Sequence, residues 1–218
     1  MSGFSTARQK MVDGQVRPSD VTDSRIIDAM LAVPREAFVP PGQRALAYLD
    51  LNLDIGDGAT KRFLIKPMVT AKMLQAADIR ETDHVLVAGS AAGYTAALVA
   101  RLAGRVSVTE TDPAQAREVL AQLGLGNVTF VAEAAADGSP ANAPFDVIVL
   151  DGATEIVPER LYRQLRDGGG RLVGVFAATK PPRATIVTRS HGEFGSRALF
   201  DATVPVLPGL ERRPAFVF

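Results

Sequence analysis

"HVLVAGSAAGYTAALVARLAGRVSVTETD", residues 84–112, decides the fold of this chain. An apolar run, HVLVA, leads into a glycine-bearing turn, then a helical stretch GYTAALVARLA, a second apolar run RVSVTE and an acidic end. Strand, turn, helix and strand in that order imply a crossover between parallel strands. What small molecule the turn GSAAGY, residues 89–94, is shaped to hold is the question the rest of the chain answers.

The same rhythm extends outward. PMVTAKMLQAADI before it reads as a helix; DPAQAREVLAQLGL, NVTFVA, FDVIVLD and VPERLYRQLRDGGG after it read as helix, strand, strand and a helix closed by glycines. Strands alternating with helices predict an α/β fold with a mostly parallel sheet covered on both faces. Beyond RLVGVFAA the helices stop. ATIVTRS, SRALFDATVPVLP and AFVF are strand-like, which predicts a C-terminal antiparallel hairpin turning around HGEFG. Upstream, residues 4–50 carry a helical pattern: in VTDSRIIDAMLAVP, Thr22 or Asp23 is the N-cap, Ile26, Ile27, Met30 and Leu31 share a face, and Pro34 is the stop. The glycine-rich LNLDIGDGATKRFLIKP reads as a loop crossing. The expected division is an N-terminal helical segment with a substrate loop over residues 1–66 and the α/β domain over residues 67–218, forming one compact unit.

Composition narrows the functional classes. The 218 residues are 47% hydrophobic and 22% charged, enough for one sizeable core. Lys plus Arg and Asp plus Glu both number 24, with no basic stripe, so nucleic acid is not the expected partner. Cysteine is absent, which removes disulfides, thiolate metal sites and a cysteine nucleophile. No signal-like or membrane-spanning apolar run is visible, and the expectation is a soluble cytoplasmic protein with no membrane contact. The only histidines, His84 and His191, read as surface residues, which argues against a triad hydrolase or a histidine-bound metal. Oligomeric state is not legible.

Phosphates are not what this turn prefers. A dinucleotide fingerprint needs glycine where this chain has Ala91 and Tyr94, and a P-loop needs Gly-Lys-Ser/Thr where it has Tyr94-Thr95-Ala96. A nicotinamide dehydrogenase is therefore a distant possibility. Glu110 and Asp112 close the second strand about twenty residues after Gly89, where a carboxylate accepts hydrogen bonds from ribose hydroxyls. A nucleoside without pyrophosphate fits both conditions, and S-adenosyl-L-methionine is such a ligand. Its candidate contacts are Gly89, Ser90, Ala91, Gly93, Tyr94, Glu110, Thr111 and Asp151, to which the family resemblance given below adds Ala134. Plainer roles stand beside these: the glycines shape a turn, Glu110 is a solvated strand end, Tyr94 packs under the sheet, and Asp151 caps a loop at a strand end. Lys61, Arg62 and Lys66 form a basic cluster that either attracts an acidic substrate or is simply solvated.

The chain resembles the protein-L-isoaspartate O-methyltransferase family over nearly its whole length. The resemblance rests on MVDGQVRPSDVTDSRIIDAMLAVPREAFVP, AYLDLNLDIGDG, the glycine turn, GNVTFVAEAAADGSPANAPFDVIV and VPERLYRQLRDGGGRLV. It implies a Rossmann-like class I methyltransferase fold, S-adenosylmethionine as cofactor, and methyl transfer to the free carboxylate of isoaspartyl residues in damaged protein or peptide substrates. Three positions depart from the family. Anchored on Pro67, FLIKP stands where the family has Thr-Ile-Ser-Gln-Pro, so Ile65 occupies the serine position and no catalytic residue is assigned. Val87 lies two places before the glycine, where the family commonly has an acid, and Ala134 replaces an aspartate that meets the adenine amino group. The expectation is a carboxyl O-methyltransferase acting on isoaspartyl protein or a related acceptor. The alternative is a family member that binds or regulates without turnover.

Overall fold

A computed structural model of the chain describes residues 3–56 and 61–212. Seven strands form one sheet in the order β5-β4-β3-β6-β7-β8-β9. They are β3 (His84–Ala88), β4 (Arg105–Thr109), β5 (Val128–Val131), β6 (Val147–Thr154), β7 (Gly170–Phe176), β8 (Arg183–Ser190) and β9 (Glu193–Asp201). β3 to β7 pair in parallel, and β8 and β9 are antiparallel. The central strands read as unbroken apolar runs because both sheet faces are covered, and every residue of β3 and β6 is buried. Val85 and Val87 face one apolar cluster while Leu86 and Ala88 face the other, the alternation expected of a strand.

One cluster is roofed by α1 (Gly3–Met11), α2 (Ser24–Ala32), α3 (Pro67–Ala77), α4 (Tyr94–Ala100) and α5 (Ala114–Gln122). Asp23 caps α2 by accepting the Arg25 N–H at 2.9 Å, and Val33 before Pro34 is already extended. Met11, Val16, Ile26, Met30 and Phe38 share a core with Val87 and Tyr94, so the N-terminal helices and the sheet bury each other. Among the described residues no helix is long and apolar enough to cross a membrane.

The chain runs from β3 through β4 to β5 in one direction and returns through β6 to β7 in the other. The reversal lies between β3 and β6, and the crevice beyond their carboxyl ends is where an open α/β sheet binds ligands.

Several expectations change in the structure. The helix over residues 157–170 is a single turn, α6 (Glu159–Tyr162). It stops because Gln164 and Arg166 exchange backbone hydrogen bonds with Phe145, which draws the chain out of helical geometry. β6 continues past Asp151 to Thr154, because Ala153 pairs with a strap formed by residues 202–210. The segment SRALFDATVPVLP is thus a strand only to Asp201. The glycine-rich loop carries a short ribbon, β1 (Leu53–Asp54) against β2 (Phe63–Leu64). The hairpin forms as expected: β8 and β9 are joined by His191 and Gly192, with φ of 53° and 80°, the signature of a type I′ turn. AFVF lies outside the described residues.

His84 is buried rather than on the surface, 5% exposed at the sheet end away from the crevice. Arg105 Nη2 lies 2.8 Å from its Nδ1 and Ser107 Oγ lies 2.9 Å from its Nε2. Phe145 covers the ring at 4.5 Å. Burial, then the Arg105 charge, pushes its pKa down. His191 is exposed in the turn.

Candidate active site

At the carboxyl ends of β3, β4 and β6 lies a cavity of about 520 Å³, a volume typical of small-molecule sites. Gly89 and Ala91 of the turn form its floor. On the β4 flank it is lined by Thr109, Glu110, Thr111 and Asp112, with Glu133 and Ala134 following β5; on the β6 flank stand Asp151 and Ile65. The ribbon contributes Lys61, Arg62 and Phe63, and the strap contributes Pro205, Val206, Leu207 and Pro208.

The strap explains two glycines directly. A Cβ on Gly89 would lie 2.5 Å from Leu207 Cδ2, and one on Gly152 would lie 2.8 Å from the same atom. Gly89 also holds φ +81°, a left-handed conformation that side chains disfavour. Its N–H donates to Thr109 Oγ1 at 3.0 Å, tying the turn to β4. Leu207 is therefore wedged into the mouth of the glycine turn.

Of the four acids that line this cavity, Glu110 and Asp151 are buried. Glu110 Oε1 accepts the Asp112 N–H at 2.9 Å, and Oε2 lies 2.7 Å from Arg62 Nη2. The same Arg62 nitrogen donates to the Ala91 carbonyl, so one guanidinium spans the turn and the end of β4. Burial pushes the Glu110 pKa up, against the opposing pull of the Asp112 amide and Arg62. Asp151 is 5% exposed. Its Oδ1 accepts from Thr95 Oγ1 of α4 at 2.8 Å. No ion pair or second hydrogen bond reaches it among the described residues. Burial raises its pKa to about 6, only partly offset by the Thr95 hydroxyl and the Arg35 charge. Because β6 continues past it, Asp151 is a mid-strand residue, not a loop cap at a strand end.

Ile65 presents its side chain to the cavity and is 2% exposed. Its carbonyl is gripped from behind by Arg35, whose Nη2 donates at 2.6 Å while its Nε donates to the Ala47 carbonyl at 2.7 Å. Arg35 thereby fixes the segment that sets the position of Ile65.

Of the candidate contacts read from the sequence, Gly89, Ala91, Glu110, Thr111, Ala134 and Asp151 line the cavity, whereas Ser90, Gly93 and Tyr94 stand behind it. Ser90 is wholly buried. Gly93 is there for packing, since a Cβ would meet that of Ala116 on α5 at 2.8 Å. Tyr94 packs under the turn, edge-on to Phe38 at 5.7 Å with the Arg35 guanidinium 4.7 Å from its ring centre. In the basic cluster, Lys61 and Arg62 line the cavity and Lys66 does not. Arg62 is neither merely solvated nor free for an acidic substrate, because Glu110 already holds it.

Sequence reasoning missed the Arg62–Glu110 pair, the Arg35 clamp and the strap. The pair joins residues remote in the chain and has no local signal. The strap does have one: Pro205 and Pro208 within a presumed strand argue against ladder pairing there.

Comparison with known proteins completes the picture. The sequence model of the Protein-L-isoaspartate(D-aspartate) O-methyltransferase (PCMT) family matches residues 6–199. Protein-L-isoaspartate O-methyltransferase 2 of Anaeromyxobacter sp. strain Fw109-5 is 44% identical over 167 residues, covering 75% of this chain and 68% of that protein. The protein-L-isoaspartate O-methyltransferase of Methylorubrum extorquens strain PA1 is 36% identical over 208 residues, covering 94% and 90%. A solved protein-L-isoaspartate O-methyltransferase superposes with a TM-score of 0.80 at 24% identity, over 94% of this chain and 67% of that one. The crystal structure of a Plasmodium falciparum protein in complex with S-adenosyl-L-homocysteine superposes with a TM-score of 0.74 at 16% identity, over 95% and 99%. At those identities the two structures establish the shared fold.

Proposed function

The chain belongs to the protein-L-isoaspartate(D-aspartate) O-methyltransferase family, and on that premise we propose that its cavity binds S-adenosylmethionine and directs the methyl group to a carboxylate of an isoaspartyl residue in a protein or peptide. The observation that carries this reading is the donor set at the switch point. A carboxylate at the end of β4 suits ribose hydroxyls, a glycine turn offers backbone to an amino-acid tail, and the Ala91 methyl stands where a pyrophosphate would need glycine. Gly89, Ala91, Glu110, Thr111, Ala134 and Asp151 are the proposed contacts.

S-adenosylmethionine, when bound, supplies a methyl on a sulfonium: an acceptor oxygen forms the new O–C bond while the C–S bond breaks and its electron pair stays on the departing neutral thioether. The chain's own task is alignment and exclusion of water. Ile65, Phe63, Val206 and Leu207 give the cavity apolar walls, and Lys61 places a positive charge beside an incoming carboxylate. A free carboxylate is already ionised near neutral pH. No general base is required, which agrees with the remoteness of both histidines from the cavity.

Ile65 supports a second reading, in which the protein binds the cofactor and regulates without transfer to isoaspartate. Labelled-methyl transfer onto an isoaspartyl peptide, alongside calorimetry with S-adenosyl-L-homocysteine, separates the two. Transfer and binding together support the first, and binding without transfer supports the second. Absence of binding overturns both. Ile65→Ser should raise transfer by roughly tenfold or more, the worth of one hydrogen bond to a charged group; an unchanged rate would mean that the loop holds position 65 too far from the acceptor.

A further inference from the structure

Asp151 is a buried carboxyl that faces a ligand cavity without a cation to pair with. Its Oδ1 is held by Thr95, and its second oxygen accepts from no described residue. The register of the sheet places it closely. Val87 pairs with Val149 and Ala88 with Leu150 in parallel, so Asp151 comes next, beside Gly89 at the mouth of the turn. Thr95 belongs to α4, which covers the sheet face that carries Val87. Asp151 therefore lies on the same face as Val87, one strand over and nearer the cavity. Val87 is fully buried among apolar neighbours, so β3 puts no charge on that face.

The charged groups around Asp151 are few. α4 offers the Thr95 hydroxyl. Arg35 acts at longer range while bonded to the Ala47 and Ile65 carbonyls. Across the cavity Glu110 and Arg62 neutralise each other, Asp112 and Glu133 add two further acids on the β4 and β5 flank, Lys61 stands on the ribbon, and the strap residues Pro205, Val206, Leu207 and Pro208 carry no charge. A carboxylate oxygen in this setting calls for a charged donor from the ligand. Of the two cationic groups of S-adenosylmethionine, only the α-ammonium donates hydrogen bonds. Adenosine falls to the opposite flank, where Glu110 stands.

We infer that Asp151, presented from β6, is the counter-charge for the α-ammonium of the cofactor's amino-acid tail. This rests on the cofactor reading above. The cavity thus divides by charge: Glu110 takes a neutral diol, and Asp151 takes a cation.

Calorimetry on the full chain tests it with two ligands, S-adenosyl-L-homocysteine and 5′-methylthioadenosine, which keeps the adenosine and thioether but has no amino-acid tail. Asp151→Asn should weaken S-adenosyl-L-homocysteine at least tenfold and leave 5′-methylthioadenosine within twofold, while the unliganded variant melts no lower than the wild type. Wild-type affinity for S-adenosyl-L-homocysteine should fall as pH drops through about 6, and the Asn variant should lack that dependence. Thr95→Val, which removes the donor that favours the ionised form, should move the midpoint upward. An unchanged affinity in Asp151→Asn overturns the assignment, as does an equal loss for both ligands with a lower melting temperature. If the wild-type chain binds neither compound, the cofactor reading fails instead.

Discussion

Glu110 and Asp151 flank β3 on opposite sides, both buried, both with the pKa pushed up by loss of water. They differ in what answers the charge. Glu110 has a backbone amide and the Arg62 guanidinium, one on each oxygen. Asp151 has a neutral hydroxyl on one oxygen only. A buried charge without a partner is costly, so the fold carries at Asp151 an expense that it has cancelled at Glu110. The contrast shows that a binding site can be read from electrostatic debt left outstanding as well as from side chains that point at a ligand.

The sharpest way to break the contrast is to remove the charge at Asp151 and measure stability without ligand. Its folded pKa of about 6 lies above the reference 3.8, so the ionised form is the penalised one. The penalty is complete above pH 6 and disappears as pH falls through 6 towards the reference value. Asp151→Asn should therefore be more stable than wild type at pH 7.5, by on the order of 2–3 kcal/mol, and the gap should close by pH 4. Chemical denaturation at the two pH values checks this. Equal stability at pH 7.5 would mean that the fold compensates Asp151 after all.

On the other flank, Glu110→Ala should weaken S-adenosyl-L-homocysteine by about 1–3 kcal/mol through loss of the ribose acceptor. Calorimetry returning the wild-type affinity would remove Glu110 from the site. The smallest effect belongs to Arg62→Ala. A ribose diol must share or replace this guanidinium at Glu110 Oε2, so its removal should tighten cofactor binding and reduce the salt dependence of affinity. Because Arg62 is 29% exposed, the gain should be less than about 1 kcal/mol, a few-fold in affinity. A weaker-binding variant would instead make Arg62 part of the cofactor's own contacts.

Much of this architecture was legible locally. HVLVA and FDVIVLD announce central strands because a parallel sheet buries both faces, and VTDSRIIDAML announces a capped helix because Asp23 and the apolar spacing lie within one turn of each other. What failed was non-local. The VPERLYRQLR helix is cut short by pairing of Gln164 and Arg166 with Phe145, and no helical periodicity reports that. His84 is buried by Ser107, Arg105 and Phe145, all from other elements. At the site, Gly89 and Glu110 were visible just past the ends of β3 and β4, whereas the continuation of β6 beyond Asp151 depends on pairing with residues 202–210. The reach of Arg62 to Glu110 and the pressure of Leu207 on Gly89 exist only once the sheet has formed.

That pressure has a consequence for the order of events in folding. Residues 202–210 come after every strand of the sheet in sequence, yet they form a wall of the chamber at its first glycine turn. The cavity cannot be finished until β9 is in place and the chain has doubled back across the top of β6. Closure of the cavity is thereby a readout of completed assembly, and a population with a correct central sheet but an undocked strap would look native by secondary structure while lacking that wall.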